Sequence, residues 1–551
     1  MQSGLACLGA SDPREGGGAL TSPEAVTERL PSRSIADRRP GLLRHDRWAV
    51  GALMLLAAVL RVPNLGRSYW IDESISIGIA SHRLSHMPTL LRHDGSPPLF
   101  YFLLHFWLRL FGSSEVATHV LPLLISLAAI PLAYWAGQEL FDRRAGLAAA
   151  ALMATNPFLN WYATETRMYT LVVVLSTLGV TFAWRAFRDR RPADAGAAVG
   201  AFAALLYTHD WGIYLTAATV AVFLWKAWAR RDRTLAGWVV GCGAATLLLW
   251  APWIPSFLYQ AGNTAAPWAV RPQIGDFFAD PASALGGTLG FLILPLLVIG
   301  AWACRDLIST GDRRIAWSIA AVALVTAVLG FAGAQVDPSW TVRYLAVIIA
   351  PALLAAAGAL ASTGRGRTVL LAGCSILALW AVVGLLLPNP NGRYAKDNMG
   401  AVARAAAPLL KPGDVVIVTQ TEQVPVAYRY LPRGLLYMTP TGPVADPSVV
   451  DWRNIIHRLQ QTAPCQALSP TLDALPVGTT VLEIDPVRFL GARSSAWARA
   501  VNGQVEAVDL FLRDDPALKQ AGLYTPGLRP RPYAPVDGIV FQKTSRTPSC
   551  A

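Results

Sequence analysis

Long apolar runs recur along most of this chain, and they limit its possible folds more than any other feature. Twelve runs are separated by short polar stretches and lie near residues 48–63, 97–112, 116–139, 145–160, 168–184, 195–208, 212–228, 235–255, 283–303, 315–334, 341–361 and 368–387. About 20 apolar residues in a helix cross the ~30 Å hydrocarbon core of a bilayer. Charged residues make up 15% of the chain, whereas soluble domains carry about 25%. The pattern predicts a polytopic α-helical membrane protein.

The two ends of the chain differ from this apolar region. Residues 1–40 are rich in Gly, Pro, Ser and Arg and have no apolar period, which predicts a disordered cytoplasmic tail. Beyond residue 388 the long apolar runs stop, and short β-rich segments appear at 414–419 and 479–484. The sequence therefore predicts a transmembrane domain over 41–387 and an α/β domain over 388–551.

Basic residues predict how the chain is oriented in the membrane. Arginine and lysine cluster in the turns near 142–144, 185–191, 226–233, 305–314 and 365–367. The alternate short loops contain few, namely Arg167, Arg271 and Arg343. Because cytoplasmic loops carry the excess of basic residues, the first set and the N-terminus are predicted to be cytoplasmic. The net charge of +12 thus reflects membrane orientation and does not indicate a nucleic-acid partner.

The run at 97–112 is the exception to this alternation. If it crossed the bilayer, every later arginine-rich turn would face outward, against the positive-inside rule. The run is short and aromatic, and it contains His105 and Arg109, which favours a helix lying along the outer interface. About eleven spans remain, with a first external loop over 64–115 and an extracytoplasmic C-terminal domain.

Two adjacent acids, Asp72 and Glu73, lie in that first external loop. Ionisable residues at membrane depth tend to be functional, which makes both of them candidate catalytic residues. On a helix, adjacent side chains point about 100° apart, so we expect Asp72 to be the base and Glu73 to have a supporting part. The alternative is that Asp72 only caps a short helix over 73–82.

Further polar residues lie in loops on the same predicted side, and each also has a plain structural interpretation. Arg167 is a candidate ligand for a phosphate, since a guanidinium binds it through forked hydrogen bonds. Alternatively, Arg167 pairs with Glu165 and anchors the loop. His209 can instead satisfy backbone groups, Asp94 can belong to a plain turn, and Arg343 can snorkel to the interface. The candidate substrate-binding residues are Asp94, Glu165, Arg167, Tyr169, His209, Arg343 and Tyr344.

The sequence contains no recognisable nucleotide or metal motif. P-loop and dinucleotide-binding fingerprints are missing, and no Cys/His cluster has zinc-ligand spacing. We therefore predict no cofactor and assign no metal ligands, while the sequence leaves a divalent-metal requirement open. Any activated donor must reach the site from elsewhere. Cys465 and Cys550 are the two cysteines of the predicted external domain, where oxidation is favoured, and we expect them to form a disulfide.

Several of these motifs together resemble a known family. Trp70-Ile-Asp-Glu73, Asp94-Gly-Ser-Pro-Pro-Leu-Phe-Tyr101, Leu140-Phe-Asp-Arg-Arg-Ala145, Glu165-Thr-Arg-Met-Tyr169 and Tyr207-Thr-His-Asp-Trp211 occur in that order. In order and spacing they resemble the GT-C membrane glycosyltransferases, and within them glycosyltransferase family 39, with its protein O-mannosyltransferases and aminoarabinose transferases. The resemblance covers roughly residues 48–390. The chain departs from it at Ser96, where the family often has His, and at Asp210, where it often has an aromatic residue.

The resemblance implies a sugar donor carried on a polyprenyl phosphate, which accounts for the missing nucleotide motif. It also implies that the first-loop acid, Asp72, acts as general base on an acceptor hydroxyl of a glycan, lipid or protein. A lipid phosphate leaves as a stable anion, so one carboxylate suffices where glycosidases need two. Cations should face the leaving phosphate, and Arg167 and Arg343 are candidates.

Two other functions fit a polytopic chain with external charges. A transporter or flippase of lipid-linked sugars is the main alternative, although transporters place their substrate sites near the bilayer midplane. A non-catalytic scaffold that displays the C-terminal domain is the other, and it leaves the external Asp, Glu, Arg and Tyr residues unexplained. The prediction for this chain is an inverting glycosyltransferase of the cell membrane.

Overall fold

The computed structural model describes residues 44–264, 266–290, 310–361, 364–386, 396–487, 495–524 and 535–550. The tail predicted over 1–40 and the domain boundary predicted at 388 lie outside the described residues, as does most of the predicted run at 283–303. Sixteen described helices of the apolar region are α1 (Arg44–Arg61), α2 (Ile71–Ser81), α3 (Met87–Asp94), α4 (Leu99–Phe111), α5 (Glu115–Leu140), α6 (Arg143–Thr155), α7 (Pro157–Tyr162), α8 (Tyr169–Asp189), α9 (Pro192–Leu206), α10 (Gly212–Ala229), α11 (Arg233–Trp250), α12 (Ile254–Asn263), α13 (Ile274–Gly286), α14 (Thr310–Val336), α15 (Ala346–Ala361) and α16 (Gly364–Leu386).

Six helical segments in the described part of the chain are long and apolar enough to cross a membrane: Glu115–Leu140, Tyr169–Asp189, Gly212–Ala229, Arg233–Asn263, Gly311–Val336 and Val342–Leu360. Shorter apolar helices occupy Pro192–Leu206 and Arg367–Val383. These helices confirm the prediction of a helical membrane protein. The count of about eleven spans stays a prediction.

Helix α4 is the segment predicted to lie along the outer interface. Its 13 residues span about 20 Å, which is shorter than the hydrocarbon core. Tyr101 and His105 lie on its buried face, whereas Phe106 and Leu110 are exposed. The helix therefore has one face packed against the protein and one apolar face that is open.

Helix α2 carries the two acids of the first loop, and it begins earlier than the sequence suggested. Trp70 is the extended residue before the helix, so Asp72 is its second residue and not its cap. The expected short helix is present, but it spans Ile71–Ser81, so the interpretation of Asp72 as its N-cap is wrong. Glu73 accepts a hydrogen bond from the Trp70 backbone N–H at 3.4 Å. Glu73, and not Asp72, is therefore the acid whose side chain caps the N-terminus of α2.

The C-terminal region forms a six-stranded mixed sheet with helices packed on it. The strands are β1 (Val415–Val418), β2 (Leu436–Thr439), β3 (Gly442–Pro443), β4 (Thr480–Pro486), β5 (Leu518–Tyr524) and β6 (Val536–Lys543), in the spatial order β3-β2-β1-β4-β6-β5. Strand β1 runs parallel to β2 and β4, whereas β6 runs antiparallel to β4 and β5. The helices here are α17 (Met399–Ala406), α18 (Val424–Tyr430), α19 (Ile455–Gln461), α20 (Pro464–Ala474) and α21 (Ala496–Asp514). The predicted C-terminal sheet domain is confirmed.

The sheet domain packs directly on the first loop. Tyr430 of α18 accepts a hydrogen bond from the Tyr69 N–H at 2.8 Å and donates to Glu115 at 3.0 Å. At the other end of α2, His82 contacts Asp446 at 2.8 Å. A Cβ added to Gly78 of α2 would lie 1.7 Å from the Ser448 carbonyl oxygen, so only glycine permits this approach. The C-terminal domain thus holds both ends of the helix that carries Asp72.

The structure confirms the expected disulfide between Cys465 and Cys550, whose Cα atoms are 6.0 Å apart. That separation lies within the range a disulfide spans. The bond joins the start of α20 to the end of the chain, across a sequence separation of 85 residues that includes three strands of the sheet.

Opening this disulfide is expected to destabilise the C-terminal domain. Cys465→Ser should lower the free energy of unfolding by about 2–4 kcal/mol, because the unfolded chain regains the freedom of a long closed loop. Thermal unfolding of the purified protein measures the loss. Cys242→Ser, which removes a cysteine that forms no disulfide, is the control. Ready labelling of Cys465 by a maleimide without reductant would contradict the assignment.

Candidate active site

Three charged side chains from distant parts of the chain meet beside the start of α2. Asp72 Oδ2 lies 3.8 Å from Arg167 Nε and 3.6 Å from Arg343 Nη1. Asp72 is positioned by the first turn of α2, Arg167 by the turn before α8, and Arg343 by the short turn before α15. At these distances the two contacts are ion pairs but not hydrogen bonds. Arg167 Nε donates a hydrogen bond to none of the described residues. A guanidinium donor therefore remains available beside the carboxylate.

Arg167 is held in place by a chain of hydroxyl groups. Its Nη1 donates to Ser76 Oγ and to the Tyr101 hydroxyl, each at 3.0 Å. Tyr101 in turn donates to Asp94 at 3.5 Å, and the Ser96 hydroxyl also bonds Asp94. Burial raises the pKa of Asp94 to about 6, against the lowering effect of Ser96 and Arg167. The end of α3 and the loop after it thus support Arg167 through Tyr101 of α4.

Glu73 does not share this site with Asp72. Its side chain is 0% exposed, whereas that of Asp72 is 18% exposed. Glu73 accepts from the Thr166 N–H at 2.8 Å and contacts His119 Nε2 at 2.7 Å and Lys396 Nζ at 3.0 Å. Burial alone raises the pKa of Glu73, but Lys396 and His119 outweigh burial and hold the pKa well below its usual range.

His119 and Lys396 complete a buried charged cluster around Glu73. The other ring nitrogen of His119 faces the Leu65 carbonyl at 2.7 Å, so both nitrogens face acceptors, and an imidazolium satisfies both. Lys396 also donates to the Thr164 carbonyl at 3.2 Å and lies 3.6 Å from Glu165. The cluster therefore ties α2, α5 and the turn before α8 to the residue that begins the described C-terminal domain.

Aromatic rings form the wall of the site next to the arginines. The Arg343 guanidinium lies 4.4 Å from the Trp268 ring centre and 5.6 Å from that of Tyr344. His209 packs edge-on against Tyr344 at 4.7 Å and lies 6.0 Å from Tyr169. The Tyr169 hydroxyl is buried and bonds none of the described residues. Tyr169 thus adds a second available donor near Arg167.

The structure contradicts two of the purely structural interpretations of these residues and agrees with a third. Glu165 pairs with Lys396, and Arg167 pairs with Asp72. The described ion pairs therefore do not include the predicted pair between Glu165 and Arg167. Arg343 is mostly buried and faces Asp72 and aromatic rings, which does not fit a snorkelling side chain. His209 Nδ1 does accept from the Trp211 N–H at 3.1 Å, as the interpretation of a backbone-satisfying histidine requires.

Three residues at or near this site were not predicted from the sequence. His119 lies at the start of an apolar helix, and an ionisable residue there was the available signal. Lys396 follows the last apolar run and carries no local signal. Glu422 of the C-terminal domain lies close enough to Asp72 for their charges to interact; burial, and to a lesser degree Asp72, raises the pKa of Glu422 to about 7.

The arrangement suits an anionic ligand and a proton transfer. Two guanidinium groups and a tyrosine hydroxyl can bind phosphate oxygens through charge-assisted hydrogen bonds. Asp72 lies beside them and can accept a proton from a neighbouring hydroxyl. A metal ion at Asp72 would face two cations at close range, so the charge of the described site favours an anion over a metal.

A central segment of the chain matches a known family. Residues 95–255 match the family model described as dolichyl-phosphate-mannose-protein mannosyltransferase. The matched segment includes Glu165, Arg167, Tyr169 and His209 but stops short of Arg343, and it begins after Asp72. No curated protein matches the chain in sequence.

Solved structures resemble the chain over most of its length. ArnT from Cupriavidus metallidurans, in the apo state and bound to undecaprenyl phosphate, matches with a TM-score of 0.58 and 14% identity, over 90% of this chain and 97% of ArnT. The oligosaccharyltransferase of Archaeoglobus fulgidus matches over 79% of this chain and 67% of its own, at 12% identity and a TM-score of 0.45. The likeness to ArnT shows the fold. The chain therefore has the fold of the GT-C glycosyltransferases that its motifs resemble, and the mannosyltransferase family match covers residues 95–255.

Proposed function

We propose that this protein transfers a sugar from a polyprenyl-phosphate donor to an acceptor hydroxyl at the outer face of the cell membrane. The observation that carries the proposal is the contact of Asp72 with Arg167 and Arg343, one carboxylate beside two guanidinium groups. The fold supports it, because ArnT, which shares this fold, has been captured with undecaprenyl phosphate. The acceptor is a glycan, a lipid or a protein.

In the proposed reaction Asp72 takes the proton of the acceptor hydroxyl. The acceptor oxygen forms a bond to the anomeric carbon while the bond from that carbon to the phosphate oxygen breaks. The lipid phosphate leaves with the electron pair and is stabilised by Arg167 and Arg343. A single displacement of this kind inverts the configuration at the anomeric carbon. Neither a nucleotide nor a second carboxylic acid takes part.

The ion pairs of Asp72 suggest how donor binding prepares the base. Both guanidinium groups face the Asp72 carboxylate. A phosphate between them offers the arginines a second anion with more oxygen acceptors. Asp72 is then less tightly paired and can turn toward the acceptor hydroxyl. In this scheme proton transfer follows donor binding.

The direct test is sugar transfer by the purified protein in detergent. Incubated with a polyprenyl-phosphate sugar and a panel of hydroxyl acceptors, the protein should produce free polyprenyl phosphate together with glycosylated acceptor. A transporter of lipid-linked sugars would instead move labelled donor across proteoliposomes without forming product. Donor movement without transfer would refute the proposal and support the flippase.

The proposed orientation has eleven spans, a cytoplasmic N-terminus and an extracytoplasmic C-terminal domain. It rests on the arginine-rich turns and on a non-crossing α4. A reporter that is active only outside the cytoplasm, fused after residue 390, is expected to be active. The same reporter fused in the turn at 185–191 should be silent. If only the fusion at 185–191 is active, the topology is the reverse of the proposed one.

Arg167→Lys is expected to weaken donor use more than it weakens folding. Lysine keeps the charge but loses the forked donors that face a phosphate. We expect the KM for the donor to rise about 10- to 100-fold, as the loss of a charge-assisted hydrogen bond implies. Arg109→Lys, at an exposed position of α4, is the matched control and should leave the KM unchanged. If Arg167→Ala leaves the KM for the donor unchanged, Arg167 does not bind the donor.

A further inference from the structure

A carboxylate occupies a core position of the C-terminal sheet. On strand β4, Val481 belongs to a hydrophobic cluster with Val508 and Leu512 of helix α21. Side chains two residues apart on a strand share a face, so Glu483 points to the same side as Val481. The side chain of Glu483 is completely buried. A hydrophobic residue would be expected here, because an unpaired buried carboxylate is unfavourable.

Neither oxygen of Glu483 accepts a hydrogen bond from the described residues. Two other acids lie beside it: Asp485, on the same face of β4, and Asp509, on α21. One carboxylate oxygen from each of the three residues lies within 4.8 Å of the others. The unpartnered buried carboxylate is therefore aimed into a cluster of carboxylates rather than toward a base.

The described basic and hydroxyl groups nearby leave this cluster with excess negative charge. Arg513 donates to Asp509 Oδ1 at 2.6 Å and to Gln520, and Thr419 donates to Asp485 Oδ1 at 2.7 Å. Asp537 of β6 lies opposite Asp485 in the strand register and adds a further acid to this face. The Arg513 side chain engages the outer carboxylate, and its hydrogen bonds do not reach Glu483.

We propose that Glu483, Asp485 and Asp509 bind a divalent cation, with calcium as the best fit. Carboxylate oxygens without nitrogen or sulfur ligands favour hard cations over zinc or copper. Calcium binds oxygens at about 2.3–2.6 Å, so ligands on its opposite sides are about 4.6–5.2 Å apart. The three oxygens lie within that span. Magnesium, at about 2.1 Å, usually keeps several waters and is less often held by protein ligands alone.

Such a cation would join strand β4 to helix α21 inside the domain that holds α2. Its competitor is a proton, because burial, with Asp485 and Asp509 beside it, raises the pKa of Glu483 to about 9. The three ligands are remote in sequence from Asp72, and calcium binding here does not require the proposed transferase function.

Equilibrium dialysis of the full-length protein against radioactive calcium tests the site. After removal of metal with a chelator, the protein is dialysed at about 1 mM calcium, a concentration that fills extracellular calcium modules. We expect the native protein to bind one calcium ion per chain more than Glu483→Gln or Asp509→Asn. Asp514→Asn, an exposed acid at the end of the same helix, is the matched control and should bind as the native protein does.

Hydrogen exchange gives a second measurement on the same samples. Calcium should slow exchange in β4 and in the adjoining part of α21 in the native protein and in Asp514→Asn, but not in Asp509→Asn. If Glu483→Gln fails to fold, Asp509→Asn decides the matter, because Asp509 lies at a partly exposed position. Equal calcium binding by the native protein and folded Asp509→Asn would overturn the proposal. Glu483 would then be a buried protonated acid.

Discussion

Asp72→Asn is expected to reduce sugar transfer by roughly 10²–10⁴-fold, the usual contribution of a positioned general base. Asparagine keeps the size of the side chain but cannot take the acceptor proton. Asp72 neither caps α2 nor takes part in the buried cluster, so the variant should fold normally. It should also still bind donor, since Arg167 and Arg343 are unchanged. Turnover in detergent, donor binding and the unfolding temperature separate these effects.

The matched control is Asp446→Asn, which removes the acid that contacts His82 at the other end of α2. That variant should keep near-normal turnover. If Asp72→Asn is nearly as active as the native protein while Glu73→Gln is inactive and folded, the base is Glu73. If both variants are active, the proposed mechanism fails.

Glu73→Ala, in contrast to Asp72→Asn, should mainly lower the stability of the protein and not the rate of the chemical step. It leaves Lys396 and His119 buried without their shared carboxylate. Breaking a buried ion pair from one side costs about 3–5 kcal/mol, which is a large fraction of the stability of a typical domain. We expect a strongly lowered unfolding temperature and poor recovery of monodisperse protein. Glu73→Gln, which keeps an oxygen acceptor for the Thr166 N–H, should be affected less.

Asp72→Asn is the matched control for this experiment, since it removes the neighbouring acid on the same helix. Lys396→Met provides the complementary test, because it leaves Glu73 and Glu165 without the ammonium group they share. Both Glu73→Ala and Lys396→Met should unfold at lower temperature than Asp72→Asn. A Glu73→Ala protein as stable as the native one would show that the buried cluster contributes little.

Much of the fold could be predicted from local sequence, because the free energy of placing a segment in hydrocarbon depends on that segment's own side chains. The apolar runs accordingly predicted membrane helices. The apolar, β-branched segments at 414–419 and 479–484 contain strands β1 and β4 of the sheet. The start of α2 was missed, since the choice between Asp72 and Glu73 as its N-terminal acid depends on backbone geometry at Trp70.

Most residues of the candidate site could be proposed from the sequence, but His119, Lys396 and Glu422 could not, and neither could the pairings. Glu165 and Arg167 are natural partners by proximity along the chain, yet each has a partner from elsewhere, Lys396 and Asp72. Lys396 lies 323 residues from Glu73 and carries no motif. A burial difference between adjacent acids likewise has no signature in composition.

The sequence by itself predicted a helical membrane protein with a C-terminal sheet domain, two adjacent acids in its first long loop, and a disulfide between Cys465 and Cys550. Only the tertiary structure decided which acid faces the arginines and which is buried. The reason is that ion pairing and burial are set by distances between remote residues, and those distances exist only once α2, α5, the turn before α8 and the C-terminal domain have packed together.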